Sequence, residues 1–305
     1  TVRTERITKS LNIQTRIMKL GALILVITLC SFNYLIEGAK EDSVLLATWN
    51  IQNFGPTKVT DQKKLKIIVK IIEMVGLIAI QEVSDVKGKA IETLIASLSK
   101  KLNFNYILSP RVGEGGYAEQ YGFIYNENMF KLTNMGIYNG SEPFKRPPFF
   151  VTVESLIPGN PIKFGLGTIH TSPPEAVKET SSLADTADWY TFLTGNTNVM
   201  LLGDYNCGCD YVKVKDYGKI SLYTRPEFRW LVPSCFDTTV ALSTNCPYDR
   251  IVIRGDSLFD AIIPESTRVF DFGKKYKLSE KEALGVSDHF PVLLELKMAT
   301  SSSNV

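Results

Sequence analysis

The feature that most constrains this chain is a short apolar run with a polar group at one end, and it occurs six times. Val44-Leu45-Leu46-Ala47-Thr48-Trp49 ends at Asn50, and Leu77-Ile78-Ala79-Ile80 ends at Gln81-Glu82. Phe164-Gly165-Leu166-Gly167-Thr168-Ile169 ends at His170, and Val199-Met200-Leu201-Leu202 ends at Gly203-Asp204 with Asn206 just beyond. Ile251-Val252-Ile253 begins just after Asp249, and Pro291-Val292-Leu293-Leu294 just after Asp288-His289. Runs of this length and apolarity read as strands buried on both faces. Polar groups at the ends of such strands sit on the rim of a sheet, held by a rigid scaffold. A single case reads equally well as an Asx-turn whose side chains bond only nearby backbone. Six together read as one polar site collected from many strand ends.

Histidine usage points the same way. The chain has 2 histidines, His170 and His289, and both fall at these strand ends, His289 directly after an acid. Histidine is the side chain poised to exchange protons near neutral pH, so the placement favours catalysis over a structural role.

Between the strands lie helical patterns. Residues 62–75 carry Leu65, Ile68, Val69 and Ile72 on one face, with Thr60 or Asp61 available as a cap. Residues 87–101 repeat the pattern with Ile91, Leu94, Ile95 and Leu98. Residues 104–109 and 120–125 read as strands. Residues 149–155 and 162–169 read as a strand pair around Pro158-Gly159-Asn160-Pro161, and 173–193 as a helix. Strands alternating with helices give an α/β layered fold. At 305 residues, 44% hydrophobic and 22% charged, the chain is an ordinary globular composition able to bury one large core.

The front end reads differently. Met18-Lys19, an apolar stretch over 20–30 and Gly38-Ala39 have the order of a signal peptide. The expected organisation is an upstream leader at 1–17, a signal peptide at 18–38, one catalytic domain at 39–298 and a disordered tail at 299–305. A signal-anchor helix over 20–36 is the alternative, at the short limit for a membrane span. The expected location is extracellular, without stable membrane association once the signal is removed. Cleavage after Gly38 takes away more basic than acidic residues and turns the net charge of +2 into −1. Any binding to nucleic acid must then rely on local groups and metal rather than on a broad positive field. Of 5 cysteines, Cys30 leaves with the signal and Cys207, Cys209, Cys235 and Cys246 remain, an even number that suits disulfides in an exported chain. Cys207-Gly208-Cys209 is too tight for the usual zinc spacing.

Taken in order, Trp49-Asn50-Ile51-Gln52-Asn53-Phe54-Gly55, Ile80-Gln81-Glu82-Val83, Tyr117-Ala118-Glu119-Gln120-Tyr121, Ile169-His170-Thr171-Ser172-Pro173, Gly203-Asp204-Tyr205-Asn206, Cys246-Pro247-Tyr248-Asp249-Arg250 and Ser287-Asp288-His289-Phe290-Pro291 resemble the motifs of the deoxyribonuclease I family, within the endonuclease/exonuclease/phosphatase superfamily. The segment from Val269-Phe270-Asp271-Phe272 to Pro291 looks most like its gamma branch. The resemblance spans residues 44–297. It implies a four-layer α-β-β-α sandwich and metal-assisted hydrolysis of DNA phosphodiester bonds with little sequence preference. It assigns His289 as base, oriented by Asp249, and His170 as acid, oriented by Glu119. Glu82, with Asn50 beside it, resembles the Mg²⁺ (or Mn²⁺) site, and Asp204, Asn206 and Asp288 the second acidic cluster. Hard oxygen ligands suit such ions. Tyr117 and Arg146 match DNA-contacting positions, Cys209 and Cys246 match the family disulfide, and Cys207 and Cys235 are left to pair with each other. Asp237, Thr239 and Thr244 approximate a structural Ca²⁺ loop, whereas the loop 138–148 lacks the acids that hold another Ca²⁺ in relatives.

Two departures stand out. Gln52 and Ser84 occupy positions where the family commonly has arginine, which should weaken duplex binding and flatten its salt dependence. Two other readings remain open at this point: a phosphodiesterase acting on sphingomyelin or inositol phosphates, and a secreted binding protein with weakened catalysis. A monomer is expected, and the sequence carries no signature either way for actin binding.

Overall fold

The computed structural model describes residues 43–157 and 161–298, apart from the side chain of Tyr117. The expected leader, signal peptide, Pro158-Gly159-Asn160 turn and tail lie outside the described residues. Twelve strands are described: β1 (Ser43–Phe54), β2 (Leu77–Val83), β3 (Phe104–Leu108), β4 (Gln120–Asn126), β5 (Phe130–Ile137), β6 (Phe149–Ser155), β7 (Lys163–His170), β8 (Val199–Asp204), β9 (Phe228–Trp230), β10 (Asp249–Arg254), β11 (Arg268–Val269) and β12 (Val292–Lys297). They form two six-stranded sheets, ordered β11-β12-β1-β2-β4-β3 and β5-β6-β7-β8-β10-β9.

Alternation along each strand divides the apolar residues into three cores. On β1, Val44 and Leu46 face the gap between the sheets, where they meet Met200, Leu202, Ile251 and Ile253 of the second sheet. Leu45, Ala47, Trp49 and Ile51 face the other way, onto the helices Gln62–Ile72, Lys89–Ser97 and Glu280–Val286. The helix Ala176–Thr194 covers the outer face of the second sheet through Leu183, Ala184, Ala187 and Tyr190. Helix, sheet, sheet and helix are therefore stacked as four layers.

Parallel pairing places the site. β1 runs parallel to β2, and β7 parallel to β8, so the C-terminal ends of each pair lie side by side. β10 and β12 are antiparallel to β8 and β1, so their N-terminal ends reach the same rim.

Several expected boundaries shift. The helix at 62–75 stops at Ile72, capped at its start by the Asp61 carboxylate. The one at 87–101 is a helix over Lys89–Ser97 followed by a 3-10 turn at Lys100–Leu102. β1 does not stop at Asn50; it runs on to Phe54 through a register shift against β2. β5 has no counterpart in the sequence reading. Its Asn134-Met135-Gly136 segment is a bulge within an edge strand, with Gly136 at φ +88. Cys209 and Cys246 are bonded to each other. Cys207 is a free thiol, so it does not pair with Cys235; its side chain packs in the core beneath the helix Ala176–Thr194.

Candidate active site

Asp204 is the centre of the rim. In sheet register it sits between His170 on β7 and Asp249 on β10. Gly203 makes that close approach possible: its φ is +139, and a Cβ there would lie 2.1 Å from the Ile169 carbonyl oxygen. Asp204 Oδ2 is 3.5 Å from His170 Nε2 and 3.5 Å from His289 Nε2. Each imidazole is backed by its own acid. His289 Nδ1 is 2.7 Å from Asp249 Oδ2, and His170 Nδ1 is 3.1 Å from Glu119 Oε2. A carboxylate on Nδ1 fixes the tautomer and leaves Nε2 for chemistry.

The His170 half is wrapped by further bonds. Arg146 is buried, and its guanidinium donates to Glu119 Oε2 (3.0 Å) and to the carbonyls of His170 and Thr171 (both 3.0 Å). All of these acceptors belong to the protein, so Arg146 sits behind the acid pair as an anchor, not out on the surface as a free cation. Tyr121 Oη accepts from the His170 backbone N–H (3.1 Å). Glu179, on the helix Ala176–Thr194, accepts from the N–H groups of Lys145 and Ser172 (both 2.7 Å). It thereby pins the segments that carry Arg146 and follow His170.

The Glu82 half uses strained backbone. Asn50 Nδ2 donates to Glu82 Oε1 (2.9 Å) and, across the gap between the sheets, to Asp204 Oδ2 (3.2 Å). The N–H groups of Gln52 and Asn53 donate to Asn50 Oδ1 (2.9 Å) and Glu82 Oε2 (2.8 Å). Gln52, Asn53, Glu82 and Asn206 all have φ between 39 and 61, a region non-glycine residues rarely enter and one that gathers at functional sites. As oriented, Asn50 offers the site a donor; acting as an oxygen ligand requires its carboxamide to turn over. Asn206 donates Nδ2 to the Thr171 carbonyl (3.0 Å), which leaves Oδ1 as the end available to a ligand.

Burial and charge compete over the imidazoles. Burial lowers the pKa of His170, but the Glu119 and Asp204 carboxylates outweigh it and hold the ring above its ordinary value, with Arg146 opposing. Burial likewise opposes a charge on His289, yet Asp249, Asp204 and Asp288 push it well above 6.5. Burial also raises the Asp249 carboxyl, with the His289 ring pulling it back down. Burial raises Asp204 too, but His289 and His170, with help from the Asn206 N–H and the Asn50 amide, bring it below the ordinary range.

The donor set fits a hard divalent cation. Asp288 Oδ1 and Asp249 Oδ1 are buried without a hydrogen-bond partner. Ligand atoms of Asp204, Asp249 and His289 lie within 4.8 Å of one another. Buried carboxylate oxygens left unpaired at a rim already rich in acid are what such an ion neutralises.

The remaining expected residues are placed as follows. Tyr117 ends a 3-10 turn (Gly115–Tyr117) two residues before Glu119. Asp237, Thr239 and Thr244 are gathered: Asp237 Oδ1 accepts from the Thr239 N–H (3.0 Å) and hydroxyl (2.6 Å), and the Thr244 hydroxyl bonds that of Thr239 (2.7 Å). Thr239 also pairs through its backbone with His289. Sequence reasoning missed Glu179, Thr238, which accepts from the Asp249 N–H (3.2 Å), and Ser287, which donates to the Asn50 carbonyl (2.6 Å). Ser287 lies inside the motif Ser287-Asp288-His289 and Thr238 between Asp237 and Thr239, whereas nothing in the sequence singles out Glu179.

Residues 47–289 match the endonuclease/exonuclease/phosphatase family. The chain belongs to that family. It is 36% identical to human deoxyribonuclease gamma over 269 residues, 85% of this chain and 88% of the relative. It is 34% identical to human deoxyribonuclease-1 over 271 residues, 86% of this chain and 95% of the relative. Among solved structures, humanized D. rerio TDP2 superposes with a TM-score of 0.59 at 12% identity, covering 84% of this chain and 99% of that one. The human Nocturnin catalytic domain with bound sulfate anion gives 0.53 at 12%, covering 86% and 96%. These structural likenesses concern the fold.

Proposed function

We propose that this chain is a secreted, divalent-metal-dependent endonuclease that hydrolyses phosphodiester bonds of DNA with low sequence specificity. The observation that carries the reading is the pair of carboxylate-backed imidazoles whose Nε2 atoms both lie 3.5 Å from Asp204 Oδ2. Two such groups facing one point suit in-line displacement at phosphorus, one removing a proton from the incoming oxygen and one supplying a proton to the departing oxygen. His289 Nε2 takes the proton of the attacking water, and Asp249 stabilises the imidazolium that forms. His170 Nε2 gives its proton to the leaving oxygen as the phosphorus–oxygen bond breaks, with Glu119 and Arg146 keeping the ring in place. Glu82 and the Asp204, Asn206 and Asp288 set would hold the cation, which would supply positive charge to the phosphoryl oxygens.

Deoxyribonuclease relatives at 34–36% identity favour DNA over sphingomyelin or inositol phosphates. A rim that grips phosphate carries no sequence information by itself, which supports low specificity. The Cys209–Cys246 disulfide supports an oxidising compartment. No helix among the described residues is long and apolar enough to cross a membrane.

Nicking of supercoiled plasmid in Mg²⁺ plus Ca²⁺ tests the proposal. The expected result is relaxation that EDTA abolishes and that His170→Ala lowers by roughly 10²–10⁴-fold. Cutting that survives EDTA removes the metal; a folded wild type that leaves plasmid intact removes the DNA reading.

A further inference from the structure

We propose that Lys58 is a positioning residue of this centre, tying the Asn50–Glu82 side to the Asp288–His289 side by bonding three main-chain carbonyls. The inference rests on the phosphodiesterase reading above.

Lys58 lies on the short helix Pro56–Thr60. Its Nζ donates to the carbonyls of Ile51 (2.8 Å) and Val286 (2.7 Å) and to that of Gln52. An ammonium has three donors, and all are used on backbone. Two of the acceptors belong to the β1 bulge, where register slips between Asn50 and Phe54 and where Gln52 and Asn53 hold φ of 39 and 49. That conformation is what turns the Gln52 and Asn53 N–H groups onto Asn50 Oδ1 and Glu82 Oε2. The third acceptor is the last residue of the helix Glu280–Val286. Its carbonyl is one that a helix end leaves unpaired, and a cation is favoured there. Ser287, Asp288 and His289 follow directly.

Two other straps join the same segments: Ser287 Oγ to the Asn50 carbonyl (2.6 Å), and Trp49 Nε1 to the His289 carbonyl (2.8 Å). Lys58 is the charged one. Burial pushes its pKa down to about 8, Asp288 and Glu82 hold it up, and Lys64 pushes it further down. Once neutral, the amine keeps two donors for three carbonyls, and the strained bulge loses one of its holds.

The test is steady-state plasmid cleavage by Lys58→Met beside wild type, with amide hydrogen exchange on both. Expected is a kcat lower by roughly ten- to a hundred-fold with KM within about three-fold, the signature of lost alignment. Exchange at the Gln52, Asn53 and His289 amides should be faster in the variant. An unchanged kcat, or a loss confined to KM, overturns the inference. If wild type cuts no DNA, the functional reading fails, and the strap is judged by exchange alone: unchanged protection at those amides sinks it. If Lys58→Met does not fold, wild type carries the test. Protection at Gln52 and Asn53, corrected for intrinsic rate, should fall between pH 7 and pH 9; constant protection overturns the inference.

Discussion

At the scale of the residue, the two histidines are set up differently. In the proposed mechanism His289 is the base, so it must be neutral to work, yet Asp249, Asp204 and Asp288 outweigh burial and hold its proton well above 6.5. Activity should therefore rise as pH climbs through that raised value. Asp249→Asn removes the largest of the attracting charges, so the acid limb of kcat/KM should move to lower pH, while maximal kcat falls by roughly 10³–10⁴-fold as the ring loses its fixed tautomer. An unmoved limb in the pH–rate profile would falsify His289 as the base. Stability follows the same sign. A ring with its pKa raised on folding stabilises the fold fully below the unfolded value, and that contribution is lost as pH rises through the folded one. Asp249→Asn should accordingly lower the urea midpoint most below pH 6.5, and the loss should shrink as pH rises through the raised folded value. The histidines and acids were legible in the sequence because polar residues at the ends of apolar runs have few other reasons to be there. The place of Arg146 was not: whether an arginine faces solvent or lies behind a glutamate depends on chain segments far apart in sequence, and here Tyr121, His170 and Thr171 close around it.

At the scale of the element, the apolar strands themselves were readable, since continuous Val, Leu and Ile runs have one good home in a sheet covered on both faces. What joins them was less readable. β5 alternates as far as Asn134 and then breaks at its bulge, and the end of β1 mixes polar residues in left-handed conformations that no propensity favours. Tertiary bonds hold those residues in place, so their signal is spread over β2, the helix Pro56–Thr60 and the turn before β12. Gly203 is the element-scale position with the firmest prediction. It combines φ +139 with a Cβ position blocked by the Ile169 carbonyl, which is backbone and cannot swing aside. Gly203→Ala should destabilise the fold by about 3 kcal/mol, through backbone strain and steric overlap. The His170–Asp204 pairing should open with it. A chemical denaturation midpoint equal to wild type, with activity intact, would show that β7 and β8 can part at this point without cost.

At the scale of the whole molecule, charge decides how DNA is held. With the expected signal at 18–38 and the leader removed, the chain would be near neutral, so DNA affinity would rest on local groups and metal rather than on a broad field. Arg146 is committed to Glu119, and Lys58 to backbone carbonyls. Ser84 is exposed, two residues beyond Glu82, at a position where the resemblance expects arginine. Its N–H is bonded to the Phe54 carbonyl (3.0 Å), which holds the segment in place, so a long side chain there projects from a fixed base. In a His170→Ala background, where binding is read without cleavage, Ser84→Arg should tighten duplex binding at low salt. It should also steepen the slope of log affinity against log salt by about 0.9, the release expected for one added phosphate contact. The wild-type slope should itself be shallow, as the proposed metal-held phosphate requires. If Ser84→Arg leaves the slope unchanged, duplex does not pass over the β2 end of the rim. The approach must then lie on the β10 side, where the Tyr248 ring lies tilted against Tyr211 at 5.5 Å and beside His289 at 6.3 Å.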